Sequence, residues 1–105
     1  MGDQLETLRR RLEQEPDDPE CLFALGVEYA RIGQDDRAIA HLDLATNLDP
    51  EFVDAWIQKA ACQHRSRDLH AASRSLETAA DAALDADNAQ AMTAIMALKR
   101  QLEQG

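Results

Sequence analysis

Apolar residues return at helical spacing along most of the chain. In residues 3–15, DQLETLRRRLEQE, Leu5, Leu8 and Leu12 stand at i, i+3 and i+7. That narrow stripe predicts a helix capped by Asp3 and stopped by Pro16. Asp18-Pro19-Glu20 then places an Asp at the N-cap, a proline at the first helical position and an acid in the first turn. In the helix it opens, Leu22, Leu25, Gly26 and Tyr29 recur at i, i+3, i+4 and i+7, and Gly33 is placed to end it in the left-handed conformation. Asp35 is expected to cap the next helix, where Ala38, Leu42 and Ala45 share one stripe. Asp49-Pro50-Glu51 reads as a second helix start of the same kind.

Gly26 stands out because a glycine inside a helix costs about 1 kcal/mol relative to alanine. Placed among packing residues, it predicts that another helix crosses there too closely for a side chain. The small–large–small stripe of Ala38, Leu42 and Ala45 would let Leu42 act as a knob into such a partner. Shifting the chain by 34 residues brings the pattern back: Leu22 maps to Trp56, Gly26 to Ala60, Ala38 to Ala72, Leu42 to Leu76 and Ala45 to Ala79. A helix–turn–helix period of this length marks a repeat architecture. Residues 19–52 resemble a tetratricopeptide repeat at Leu22, Leu25, Gly26, Tyr29, Ala38, Leu42, Ala45 and Pro50.

The second copy, residues 53–86, is degenerate. Lys59, Gln63 and Leu84 stand where the family favours leucine, an aromatic and proline, and Arg67 replaces Gly33 at the inter-helix turn. Without a proline at 84, the second helix of this copy is expected to run long, from about Asp68 to Asp85. Residues 87–103 read as a closing helix, begun by Asp87, with Met92, Ile95, Met96 and Leu102 as its apolar positions and Lys99-Arg100 near its end. The expected architecture is an all-α single domain: an α-solenoid of antiparallel helix pairs, made of an N-terminal helix (about 3–15), repeats at 19–52 and 53–86, and a C-terminal capping helix (about 87–103).

Composition narrows the partner. The net charge is −9, and residues 1–52 carry −8 of it. A surface of that sign repels phosphate backbones and anionic headgroups, so neither nucleic acid nor membrane is an expected partner. No apolar run approaches the roughly 18 residues of a membrane-spanning helix, and the polar start MGDQLETLRRR shows no secretory signal. Cys21 and Cys62 are therefore read as free thiols, and the expected location is cytoplasmic.

Nothing in the sequence assembles catalytic chemistry. Cys62, His64 and His70 form the one metal-like cluster, but residues two apart on a helix project to different sides, and no second Cys/His pair is near. No histidine is placed to activate a Ser or Cys, and the glycines form no phosphate-cradling loop. Arg9-Arg10-Arg11 is read as a solvated face, with Glu6 four residues before Arg10 to pair with it. The expectation is a non-enzymatic chain with no cofactor and no metal.

The resemblance implies that the first helix of each repeat lines a concave groove. Carried over residue by residue, the contact positions are Glu20, Phe23, Val27, Ala30 and Arg31, then Asp54, Ile57, Ala61, His64 and Arg65. Phe23, Val27, Ala30, Arg31, Ile57, Ala61, His64 and Arg65 are the candidate peptide-binding groove. Some members grip a chaperone's carboxylate tail with cationic and amide side chains. The matching positions here are Phe23, Val27, Gln58, Asn88 and Met92, which supply no cation. The expected role is a protein-binding module for a partner helix or peptide. The alternatives are a homodimer that completes a short stack, and a regulatory piece of a longer multidomain protein.

Overall fold

The computed structural model describes the backbone of residues 2–104 and the side chains of residues 4–104; the expected Asp3 cap lies outside the described side chains. Among the described residues there are six helices and no strand: α1 (Gly2–Gln14), α2 (Pro19–Arg31), α3 (Asp35–Leu48), α4 (Val53–Arg65), α5 (Leu69–Asp85) and α6 (Ala89–Glu103). Consecutive helices pack on one another throughout, and α2, α4 and α6 also meet side by side. The molecule measures 38 × 28 × 20 Å.

The helix starts follow the sequence in part. Asp18 caps α2 as expected, its carboxylate accepting from the amides of Glu20 and Cys21. Asp68 caps α5 by accepting from Ala71 N–H. Three expected starts are corrected. Gln34, not Asp35, is the N-cap of α3. Asp35 lies inside the helix, with its carboxylate turned to Arg65 of α4. Asp49-Pro50-Glu51 forms a turn closed by Glu51 N–H on Asp49 Oδ1, and α4 begins later, at Val53. Asn88 rather than Asp87 caps α6, because Asp87 adopts a left-handed φ of 54° and belongs to the preceding turn.

One device closes three turns. Gly33, Arg67 and Asp87 have φ of 83°, 66° and 54°. In each case the next amide bonds back five residues: Gln34 to Tyr29 O, Asp68 to Gln63 O and Asn88 to Ala83 O. This is the left-handed C-terminal motif that satisfies otherwise orphaned carbonyls. Glycine reaches it without cost, whereas arginine and aspartate adopt it against steric resistance.

The core has two centres. The first joins Leu22, Leu25, Tyr29, Ala38, Leu42 and Ala45 with Ala55 and Cys62 of α4, and Leu5, Leu8 and Leu12 of α1 pack against it as their spacing predicts. A Cβ placed on Gly26 would stand 2.7 Å from Leu42 Cγ and 2.8 Å from Cδ2, so the glycine admits the close crossing of α2 and α3. The second centre joins Val53, Ala60, Leu76, Ala79, Ala83, Ala91 and Ile95.

In the degenerate repeat the polar replacements pair with one another and with neighbours. Buried Gln63 accepts from Ser75 Oγ at 2.7 Å. Lys59 lies over the Trp56 ring at 4.6 Å from its centroid and reaches Asp43 of α3 with its ammonium. Trp56 in turn donates Nε1–H to Pro50 O. These bonds replace apolar contacts with directional ones and leave no buried polar side-chain atom without a partner among the described residues.

Candidate functional site

A hollow of about 470 Å³ lies across the first helices, reached from α2, α4 and α6. Phe23 comes from α2, Asp54, Ile57 and Gln58 from α4, and Asn88, Gln90, Ala91 and Ala94 from the start of α6. Phe23 is fixed there by Phe52, the ring centroids lying 4.9 Å apart, so it is half-buried rather than free. Ile57 is half-buried against the second core centre. The apolar floor is thus Phe23, Ile57 and Ala91, with amides from Gln58 and Gln90 around it. Asp54 is the one charged side chain among its described lining residues.

Of the eight groove candidates, Phe23 and Ile57 come together in this hollow. The other six, Val27, Ala30, Arg31, Ala61, His64 and Arg65, do not line it. Val27, Ala30, Ala61 and His64 are half-buried further along α2 and α4. Arg31 pairs with Glu28 at 2.8 Å, a bond that raises the guanidinium pKa. Arg65 donates to both carboxylate oxygens of Asp35 and to Cys62 Sγ, fastening α4 to the start of α3. The Asp35 bond raises the Arg65 pKa, so this cation stays charged and occupied within the chain.

The α6 residues of the hollow are not reached by extending the 34-residue period. Helix α4 starts 34 residues after α2, but α6 starts 36 after α4 because α5 runs on to Asp85. An offset of 36 maps Asp54 to Gln90 and Gln58 to Ala94, both lining residues. The absent proline at 84, which already lengthened α5 in the sequence, was the signal for that shift.

The arginine triplet of α1 is more than a solvated face. Arg10 pairs with Glu6 as its spacing predicts, Arg9 donates twice to Tyr29 Oη, and Arg11 reaches Asp18. Both thiols are buried and free. Burial pushes Cys62 up to about 11 against the opposing pull of Arg65, and burial with Asp18 nearby raises Cys21. Among the described residues, no group of three or more His, Cys, Asp or Glu side chains is disposed to hold a metal ion, and no helix is long and apolar enough to cross a membrane.

A row of helix hairpins with first helices side by side and a hollow across them defines a helical-repeat solenoid. The tetratricopeptide-repeat family model matches residues 19–62, and the helices take the tetratricopeptide fold. The chain is similar in structure to the TPR2B domain of yeast Sti1, solved as a complex with an Hsp70 peptide, with a TM-score of 0.91 and 23% identity over 95% of this chain and 80% of that one. It is also similar to the Sgt2 TPR domain of Aspergillus fumigatus (TM-score 0.81, 22% identity, 95% and 66% covered). A third is the type III secretion translocator chaperone SycD of Yersinia enterocolitica (0.81, 18%, 97% and 74%). No curated protein sequence matches the chain.

Proposed function

We propose that this chain is a non-catalytic protein-binding module that holds a partner helix or extended peptide in the hollow across α2, α4 and α6. The observation that carries the reading is the apolar floor of Phe23, Ile57 and Ala91 bordered by the amides of Gln58 and Gln90. Apolar partner side chains would seat on the floor, and the amides would bond the partner's backbone. The similar Sti1 domain is described with an Hsp70 peptide, and a Spaghetti (RPAP3) domain of the same fold with the Hsp90 peptide SRMEEVD. This hollow supplies no cation for such an acidic terminus; its one charge, Asp54, repels it. The partner it suits is therefore apolar with neutral or basic flanks. Arg31, His64 and Arg65 remain a secondary expectation for partner carboxylates, with Arg65 already held by Asp35.

Selection from a displayed peptide library, followed by fluorescence anisotropy, tests this. Ala94→Arg is the blocking variant: Ala94 is exposed, lines the hollow and sits on a helix where arginine is nearly as favourable as alanine. Selected apolar peptides should bind the parent chain and lose affinity to Ala94→Arg, while SRMEEVD should bind neither. Tight SRMEEVD binding, or selected peptides indifferent to Ala94→Arg, would overturn the reading.

A further inference from the structure

A second hollow lies on another face. Between α5 and α6 is a recess of about 320 Å³, with Leu69, Ile95 and Leu102 among its apolar lining and Glu77, Lys99 and Glu103 among its charged lining. Its position follows from the repeat. In α2 the stripe Leu22, Leu25, Gly26 and Tyr29 belongs to the helix covered by α3, and in α4 the equivalent Trp56, Lys59, Ala60 and Gln63 belong to the helix covered by α5. With the 36-residue offset the same stripe in α6 is Met92, Ile95, Met96 and Lys99. Met92 and Ile95 of that stripe pack on the second core centre, whereas Met96 is 58% exposed and, across the recess, Leu69 is 44% exposed.

We infer that this end of the solenoid is where a second copy of the chain docks, α6 against α6, around a two-fold axis. Three observations select that occupant. A helix pair joined by a short turn is antiparallel, so the position over α6 calls for an antiparallel helix. A two-fold axis perpendicular to α6 presents the partner's own α6 in that orientation, and each copy then covers the other's recess.

Charge points the same way. Residues 1–52 carry −8, residues 53–86 carry −1 and residues 87–105 carry none. This is the end at which two strongly acidic chains approach with least repulsion, and Lys99 of one copy can face Glu77 or Glu103 of the other.

Side-chain size decides against a second helix packed as in the regular repeat. Met96 stands where Gly26 and Ala60 allow a close crossing. A helix cannot approach α6 as α3 approaches α2. A wider seam filled by flexible methionines from both sides fits the position.

Sedimentation velocity from low micromolar to near-millimolar chain tests the inference. The parent chain should shift from monomer to dimer with concentration. Leu69→Glu and Met96→Glu should each weaken the dimer by roughly tenfold or more without changing the far-UV circular dichroism. Both side chains are already exposed, and an acid at the first position of α5 suits the helix dipole. Ala94→Arg, in the other hollow, should leave the dimer intact and so separates the two surfaces. A strict monomer at every concentration, or a dimer unaffected by both glutamate variants, would overturn the inference.

Discussion

Gly26→Ala sets two known effects against each other. Removing a mid-helix glycine should stabilise α2 by about 1 kcal/mol through helix propensity. The new methyl, however, would lie 2.7 and 2.8 Å from Leu42 Cγ and Cδ2, and 3.4 Å from Ala38 O. Leu42 has no exposed surface and nowhere to withdraw, so α2 and α3 must move apart. Overpacking a filled core costs about 1–3 kcal/mol. The crossing wins, and the expected net loss is about 1 kcal/mol by urea denaturation followed at 222 nm. Truncating the obstacle reverses the sign. Leu42→Ala alone should cost about 2–5 kcal/mol, but adding Gly26→Ala to it should recover about 1 kcal/mol, because only the propensity gain remains. The double-mutant cycle would then show strong coupling. A stabilising Gly26→Ala in the parent chain, or additive effects in the cycle, would refute the close crossing as the reason for the glycine.

Two further predictions concern the second repeat. Arg67→Gly should stabilise the chain by about 0.5–1 kcal/mol, since a left-handed non-glycine residue costs about 1–2 kcal/mol and the entropy of the new glycine returns part of it; a loss in urea midpoint would contradict this. Cys62, whose thiol is held up to about 11 from an ordinary 9.0, should resist maleimide at pH 8 until the chain is unfolded. Because its folded pKa lies above its unfolded one, its stabilising contribution is complete below pH 9 and lost as pH rises through about 11. The parent chain should therefore lose more stability than Cys62→Ala between those pH values, and equal losses would show that the thiol is not desolvated.

The first repeat was legible where its residues agree with a local rule. Asp18 and Pro19 start a helix, Gly33 ends one, and Leu22, Leu25, Gly26 and Tyr29 recur at helical spacing and are all buried. The helix starts misread in the sequence share one cause. Asp35, Asp49 and Asp87 are all competent caps, and which carboxylate caps depends on where the neighbouring helix and turn place it. Asp35 went to Arg65, Asp49 to its own turn, and Asp87 into a left-handed conformation that handed the cap to Asn88.

Six helices, the 34-residue period of the repeats and the α2 and α3 stripes of the first core centre were legible in the sequence, because side-chain periodicity and backbone propensity act within a few residues. Tertiary structure decided which surfaces remained open. Phe23 and Ile57 join α6 across one hollow only because the longer α5 shifts α6 by two residues. Arg65 is spent on Asp35, and Lys59 on Asp43, because packing α4 on α3 brings charges thirty and sixteen residues apart into contact. Such distances between side chains depend on how whole helices settle on one another, which no local pattern encodes.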